Sequence, residues 1–312
     1  MSYRHIPAML SETIHYLGCS SGKTYVDCTL GGAGHAQAIC RAMLPDGSLI
    51  GIDQDRDAIE NARRVLAVYE SRVTLVHDNF ASLPRILSDL KVSGADGILA
   101  DLGISWHHLQ ASGRGFSFQK EEPLDMRMDV RAEIRAADIV NGAQESELIR
   151  IFRDYGEERR ARRIARRIVD VRKRKPILTS AQLAGIVLDC VPQKMAVRQK
   201  IHPATRVFMA LRIAVNHELE RLETFMDHVL DCLNSKGRLC VLSFHSLEDR
   251  IVKHRIKAMA AGCICHRSLP QCVCGNTPKV RSLTPKAVRP SAEEIAANPM
   301  ARSTRLRAME KL

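Results

Sequence analysis

Three aspartates near the ends of apolar segments could form a site for a nucleoside cofactor. Asp27 ends one segment, the turn Gly31-Gly-Ala-Gly34 follows it, and Asp53 ends the next segment, 19 residues after Gly34. Asp101 ends a further apolar segment. In a βαβ unit, glycines let backbone N–H groups approach the ligand closely, and the acid on the second strand accepts hydrogen bonds from the ribose hydroxyls. The spacing therefore indicates a nucleoside site on a parallel sheet.

The glycine turn also narrows the choice of cofactor. Gln37 stands where the dinucleotide fingerprint G-x-G-x-x-G has its third glycine, the residue that permits close packing around a pyrophosphate. This departure argues against NAD or FAD, and so against a dehydrogenase, and leaves a smaller nucleoside such as S-adenosylmethionine. A purely structural turn is the alternative. Asp53 could also cap the next helix, but Asp55 and Asp57 stand closer to that helix.

Two other strand ends carry residues of interest. Phe80 follows Asp78-Asn79 and could pack either on an adenine ring or in the core. Asp101 could accept the hydrogens of an exocyclic amine and help to take its proton during group transfer. Asp101 could alternatively hold the methionine end of the cofactor or cap a loop. Each of these alternatives is open at the level of sequence.

The segment Ser243-Phe-His-Ser-Leu-Glu-Asp-Arg250 joins a strand pattern to a helix pattern. Ser246 and Asp249 have the spacing of a helix start, and His245 could line a cleft. A Ser/His/Asp hydrolase is excluded because the chain lacks the G-x-S-x-G elbow of that class.

Apolar periodicity predicts the elements that must position these residues. Strand patterns at 24–30, 48–53, 73–77 and 96–102 alternate with helix patterns, as in a parallel sheet covered by helices on both faces. No core strand is predicted between about 110 and 211, where an ordered loop (113–129) precedes helices at 136–141, 145–155, 157–174 and 180–191. A helix at 204–234, a strand at 238–246 and a hairpin from 279–283 and 305–309 follow. The predicted fold is an α/β, Rossmann-like domain (1–109 and 212–312) interrupted by an all-helical domain (110–211).

Composition limits the partners and the compartment. The 312 residues carry a formal net charge of +12, which favours a polyanionic partner. No apolar run is long enough to span a bilayer, and the first residues lack the apolar stretch of a signal peptide. We therefore expect a cytoplasmic protein without a membrane partner. The sequence does not distinguish a monomer from a homodimer.

One predicted helix, at 157–175, concentrates the positive charge. Its apolar stripe consists of Ala161, Ile164, Ala165 and Ile168, and ten Lys or Arg residues cover the remainder. Because few acids interleave, we favour contact with nucleic-acid phosphates over the alternative of a merely solvated face.

Four cysteines lie within 12 residues, Cys263, Cys265, Cys272 and Cys274. Four thiols at this spacing can converge on one tetrahedral metal, so a structural zinc is one interpretation and free thiols are the other.

Long segments of the chain together resemble one family. The matching segments include Tyr25-Val-Asp-Cys-Thr-Leu-Gly-Gly-Ala-Gly-His35, Gly51-Ile-Asp-Gln-Asp55, Asp96-Gly-Ile-Leu-Ala-Asp-Leu-Gly-Ile-Ser105, Arg114-Gly-Phe-Ser-Phe118, His202-Pro-Ala-Thr-Arg206 and Ser243–Arg250. The family that they resemble is the bacterial small-subunit ribosomal RNA (cytosine-N4)-methyltransferase family of the RsmH or MraW type, and the match runs nearly end to end.

The resemblance implies a class I S-adenosylmethionine-dependent methyltransferase fold and methylation of a cytidine N4 amine in 16S rRNA near the decoding centre. The substrate would be an unstacked base, in a loop or a partly assembled subunit. The cofactor residues that it implies are Ala33, Gly34, His35, Asp53, Phe80, Asp101 and His108, with Asp101 the residue expected to be catalytic.

The chain departs from the family pattern at two of these positions. Trp106-His-His108 replaces the usual Ser-Pro-Gln, and Ala33 replaces a usual glycine, a change that is tolerable if φ at Ala33 is negative. Two alternatives remain. A DNA amino-methyltransferase is disfavoured because the chain lacks (D/N)-P-P-(Y/F), and a non-catalytic RNA-binding assembly factor would bind RNA without turnover.

Overall fold

A seven-stranded sheet is the centre of the first of two structural units. The computed structural model describes residues 6–192, 201–263, 265, 271 and 273–312. The first unit comprises 1–103 with 220–312, and the second comprises 104–219. The strands are β1 (Thr24–Asp27), β2 (Ser48–Asp53), β3 (Val73–His77), β4 (Ala95–Asp101), β5 (Leu233–Ser243), β6 (Val280–Ser282) and β7 (Arg305–Lys311).

The strand order is β3-β2-β1-β4-β5-β7-β6. The neighbours from β3 to β5 are parallel, whereas β7 is antiparallel to both β5 and β6. This mostly parallel sheet, with helices between its strands, confirms the class I, Rossmann-like fold. The order also places the carboxyl ends of β2, β1 and β4 side by side, at the edge where ligands of such sheets bind.

Helices alternate with the first four strands, several further helices lie in the second unit, and the last helices belong to the first unit again. They are α1 (Leu10–Leu17), α2 (Gly34–Ala42), α3 (Arg56–Val65), α4 (Leu83–Asp89), α5 (Trp106–Gln110), α6 (Ala136–Gly142), α7 (Glu145–Asp154), α8 (Ala161–Arg172), α9 (Ser180–Asp189), α10 (Thr205–Asn216), α11 (Glu218–His228), α12 (Ser246–Met259) and α13 (Ala292–Ala297). None of the helices in the described ranges is both long and apolar enough to cross a bilayer.

The core of the first unit lies on both faces of the sheet. Ile52 and Ile98 belong to one buried cluster, and Leu49, Leu99 and Cys240 belong to another. Strands that are buried on both faces need apolar side chains at consecutive positions rather than at alternate ones. This is why β2 and β4 are continuous apolar runs that break only at their polar ends.

The second unit has its own helical core. The stripe predicted for α8, Ala161, Ile164, Ala165 and Ile168, is buried against α7 and α9, with Phe152 and Leu183 among its neighbours. Thr179 caps α9 with a capping box to Gln182. Most arginines of α8 lie on its remaining, exposed face.

Several predicted bounds differ from the structure. The helix predicted at 204–234 is two helices, α10 and α11, because His217 adopts a left-handed conformation with φ +51° between them. β5 consequently begins earlier, at Leu233. α8 begins at Ala161 rather than 157, after Glu157 at φ +48°. The tail segments do pair as β6 and β7, but α13 and a 3₁₀ turn (Pro299–Ser303) lie between them.

Candidate functional site

Three acidic side chains stand on adjacent strand ends of the first unit. Asp27 pairs in register with Gly51 of β2 and Leu99 of β4. Asp53 and Asp101 each lie two residues beyond those partners, at the last positions of β2 and β4. The parallel register therefore forms a row of carboxylates, Asp53, Asp27 and Asp101, along the carboxyl edge of the sheet.

Asp53 holds the glycine turn. Its Oδ2 accepts a hydrogen bond from the Gly31 N–H at 2.9 Å, and its Oδ1 accepts one from the Asp55 N–H at 2.8 Å. The helix cap is Asp55, whose side chain accepts from the Asp57 N–H at 3.1 Å, so Asp53 does not cap α3. Burial raises the pKa of Asp53 to about 6, against the lowering effect of these N–H groups. Because a carboxylate offers about four lone-pair sites, acceptor capacity remains for ribose hydroxyls.

His35 is a buried link between the chain start and Asp101. Its Nε2 lies 3.0 Å from the Ala8 carbonyl oxygen, and its Nδ1 lies 3.4 Å from Asp101 Oδ2. A carbonyl only accepts, so Nε2 carries a proton and donates. Burial alone would lower the pKa of His35, but the hydrogen bond and charge of Asp101, with the charge of Asp27, raise it. His35 thus holds one oxygen of Asp101 in place.

Oδ1, the other oxygen of Asp101, is in a different environment. Within the described ranges, the buried Oδ1 atom has no hydrogen-bond partner, while the Asp101 backbone N–H donates to Thr29 Oγ1 at 2.7 Å. A buried acceptor without a partner carries a desolvation penalty of about 1–3 kcal/mol, and a ligand that supplies the missing donor would remove this penalty.

Asp27 is the most buried member of the carboxylate row, with no exposed surface. Oδ1 accepts from the Thr29 N–H at 3.1 Å, and Oδ2 has no hydrogen-bond partner in the described part of the chain. Burial raises the pKa of Asp27 to about 7, an effect that the charge of His35 opposes. The Asp27 carboxyl is therefore protonated over much of the range below neutrality.

We expect Asp27→Asn to flatten the pH dependence of stability. The folded-state pKa of about 7 exceeds the unfolded value of about 3.9, so this group favours folding at low pH and loses that contribution as pH rises toward 7. The loss between pH 5 and pH 7 is about 2 kcal/mol. Denaturant unfolding of wild type and D27N at both pH values measures it, and the exposed Asp46 provides a control, D46N. An equal pH slope in wild type and D27N would contradict the buried-carboxyl interpretation.

The glycine turn needs a glycine at Gly34, but Ala33 does not have the negative φ that the sequence analysis set as a condition. Gly34 has no space for a side chain, because an added Cβ would lie 2.9 Å from the Pro7 ring. Ala33 precedes α2 with φ +61° and is fully buried. The negative φ under which alanine would be readily tolerated is therefore not observed. A left-handed alanine costs about 1–2 kcal/mol, and the surrounding buried turn holds it in place.

Phe80 begins a 3₁₀ turn after β3. Its ring packs edge-on against Phe225 with centroids 5.3 Å apart, beside one of the core clusters. Asn79 caps the turn through the Ala81 N–H and donates to Gln54 Oε1 at 2.9 Å. Gln54, which also accepts from Arg221, was not identified from the sequence, although its place directly after Asp53 was a signal. Contact between Phe80 and an adenine remains a prediction.

His108 and His245 both act at helix starts. His108 lies in the second unit, where its Nδ1 accepts from the Ser105 N–H at 3.1 Å in the capping box of α5. His245 caps α12 through the Glu248 N–H. α12 thus begins at Ser246, as predicted, but its cap is the residue before, His245. Asp249 does not take part in the cap but bonds Arg305 and Arg307 of β7, each at 2.7 Å.

The structure thus places the predicted residues in three groups. Ala33, Gly34, His35, Asp53, Phe80 and Asp101 lie in the first unit at or beside the carboxyl edge of the sheet, and His108 lies in the second unit. Cys263, Cys265 and Cys274 form a separate cluster, and Cys272 lies outside the described residues.

Several known proteins are similar to this chain, and the family model and the two relatives at 51–54% identity identify its family. The model of the MraW methylase family matches residues 2–312. A "Ribosomal RNA small subunit methyltransferase H" of Desulfosudis oleivorans is 54% identical over 312 residues, covering 100% of each chain. The protein of the same name from Syntrophotalea carbinolica is 51% identical, covering 99% of this chain and 98% of its own. A solved rRNA methylase of Streptococcus thermophilus aligns over 100% of this chain and 99% of its own at 11% identity, with a TM-score of 0.42. The chain therefore belongs to the MraW methylase family.

Proposed function

We propose that this protein transfers the methyl group of S-adenosylmethionine to the exocyclic N4 amine of a cytidine in 16S rRNA, near the decoding centre. The relatives' names supply the substrate class, small-subunit ribosomal RNA. The observation that carries the proposal is the Asp101 carboxylate, which has one oxygen fixed beside His35 and the other without a partner among the described residues. A ribosomal substrate would place the reaction in the cytoplasm.

The residues at the carboxyl edge suit S-adenosylmethionine. Asp53 keeps acceptor capacity for two ribose hydroxyls while it holds the glycine turn. The turn brings backbone N–H groups of a helix start to the same edge. Phe80 offers an aromatic surface beside Asn79. When bound, the cofactor supplies an electrophilic methyl group on a sulfonium.

Asp101 would act on the nucleophile. The lone pair of a cytosine amine is delocalised into the ring, so the amine is a weak nucleophile. A carboxylate oxygen that accepts an amine hydrogen favours a more pyramidal nitrogen and can take the proton that is released. The amine would attack the methyl carbon in line as the methyl–sulfur bond breaks and the neutral thioether leaves, and alignment would supply most of the rate enhancement. No cysteine nucleophile is required, because the attacking atom is nitrogen.

The second unit would recognise the RNA, with α8 as its main phosphate-binding element. Arg162, Arg163 and Arg166 are exposed on the face of α8 opposite the buried stripe. Each arginine that neutralises a phosphate releases a counterion, so affinity falls with salt in proportion to the number of contacts.

We therefore expect the triple variant R162Q/R163Q/R166Q to reduce the slope of log affinity against log salt by about 2 to 3. Filter binding of 16S rRNA between low and moderate salt measures the slope. The matched control R56Q/R63Q/R64Q removes three exposed arginines from α3 of the first unit and should leave the slope near that of wild type. Equal slopes in the two triple variants would show that α8 does not contact the RNA phosphates.

The activity is tested with small ribosomal subunits from a strain that lacks this gene. Labelled S-adenosylmethionine, purified protein and these subunits should yield labelled N4-methylcytidine after nuclease digestion, and mapping of the fragment should locate it at the decoding centre. Label in another nucleoside would overturn the N4 assignment. Label in DNA but not in subunits would favour a DNA amino-methyltransferase, and RNA binding without any label would favour an assembly factor.

A further inference from the structure

Three thiols converge in the connection between α12 and β6, far along the chain from the strand ends described above. The sulfur atoms of Cys263, Cys265 and Cys274 all lie within 4.8 Å of one another, and the sulfurs of Cys263 and Cys274 are 3.8 Å apart. A disulfide requires about 2.05 Å, so these two sulfurs are not bonded. Six of the other cysteines are buried or half-buried apart from this cluster.

The separation suits a shared metal ion. Zinc–thiolate bonds are about 2.3 Å long, and a regular tetrahedron with that bond length places its ligand atoms about 3.8 Å apart. The spacing between Cys263 and Cys274 matches this value. Thiolate is also the ligand that selects zinc over the hard cations magnesium and calcium.

Backbone groups are arranged to stabilise thiolates. The Val273 N–H donates to Cys265 Sγ at 3.3 Å, and the Asn276 N–H donates to Cys274 Sγ at 3.5 Å. Gly275, between Cys274 and Asn276, has φ +61°, which turns the chain so that the second donor faces the sulfur. Such donors lower the energy of the negative sulfur and are the usual second layer of a zinc–cysteine site.

The two ends of the connection are tied together as well. The Asn276 side chain donates to the carbonyls of Ala261 and Gly262, at 2.9 Å and 2.7 Å, directly before Cys263. This side chain holds the Cys263 and Cys274 segments side by side, so the loop is preformed for a ligand that joins them.

We propose that Cys263, Cys265 and Cys274 bind one zinc ion as a structural site and supply three of its four ligands. Each thiol releases its proton to solvent as its sulfur–zinc bond forms. The ion closes the connection between α12 and β6, and it takes no part in methyl transfer. Because zinc holds the loop rather than the reacting groups, this site is independent of the proposed function.

Metal content of the purified full chain tests the proposal. After growth with added zinc and passage over a chelating resin, we expect about one zinc per wild-type chain. The variant C263S/C274S should contain at most about one tenth of that amount of zinc. C19S removes a half-buried cysteine outside the cluster and should keep it. Circular dichroism of each variant shows that the rest of the chain is folded.

A second readout uses the wild-type protein alone. A strong chelator should release the zinc and make the cluster thiols reactive toward a thiol reagent, and cobalt added to the stripped protein should give the thiolate charge-transfer absorption of a tetrahedral site. Wild type without zinc and without a cobalt spectrum would overturn the proposal. A mass two hydrogens lower than the reduced chain would overturn it too, because it would show a disulfide.

Discussion

Asp101→Asn is expected to lower the rate of methyl transfer about 10²- to 10⁴-fold, the range over which a positioned acid or base contributes. Asparagine keeps the size and one acceptor but cannot take a proton. Its amide also places either an N–H₂ or a neutral oxygen beside His35, which lies 3.4 Å from the present carboxylate. Single-turnover methyl transfer to small ribosomal subunits from the strain that lacks this gene measures the effect on the chemical step.

The same variant separates the two roles that the sequence left open. If Asp101 acts mainly on the amine, the rate constant falls while the dissociation constant for S-adenosylmethionine changes little. If it mainly holds the methionine end of the cofactor, the dissociation constant rises and saturating cofactor restores the rate. Calorimetric titration of the cofactor, without RNA, distinguishes these outcomes.

Asp96→Asn is the matched control, because Asp96 lies on the same strand at its opposite end. Its carboxylate accepts from the Thr24 N–H at 3.0 Å and from Asn234 Nδ2 at 3.3 Å, and it pairs with Lys23, so it stabilises the starts of β1 and β5, away from the carboxyl edge. D96N should therefore keep its transfer rate. A D101N protein that is folded and retains more than about a third of the wild-type rate would exclude Asp101 from proton transfer.

The row of carboxylates could be predicted from the sequence because it depends on topology alone. Parallel strands place their carboxyl ends at one edge, so an acid at the end of each apolar run must lie near that edge. The side chains that complete the site could not be predicted in this way. His35 contacts both Asp101 and the Ala8 carbonyl. These contacts depend on how the segment before α1 packs near the start of α2, which apolar periodicity does not predict.

Unusual backbone conformations were the second kind of feature that could not be predicted from the sequence. The break at His217 and the strained turn at Ala33 both use positive φ values at residues other than glycine, so the sequence carries none of the usual signals for them. The cap at His245 was missed for a similar reason, since Ser246 is the commoner cap residue. In each case tertiary packing outweighs the local preference.

Asp53→Asn is expected to weaken binding of S-adenosylmethionine about 10- to 100-fold. Two hydrogen bonds from ribose hydroxyls to a carboxylate become bonds to a neutral group, and each charge-assisted bond is roughly twice as strong as a neutral one. The amide also turns an N–H₂ toward either the Gly31 or the Asp55 N–H, both of which now donate to Asp53. Calorimetric titration measures the change, with Asp57→Asn on the exposed side of α3 as control.

The pH dependence of S-adenosylmethionine binding tests the role of Asp53 in the wild-type protein, where no substitution can disturb the glycine turn. Burial raises the pKa of Asp53 to about 6, and the ionised carboxylate is the better acceptor, so affinity should fall as pH drops through 6. For a site that binds only the ionised form, the dissociation constant at pH 5 is about tenfold higher than at pH 8. D53N lacks this titration, so its dissociation constant should change much less across the range. If wild type and D53N instead show the same pH profile, the ribose hydroxyls do not bind Asp53, and the cofactor contact assigned to the end of β2 is wrong.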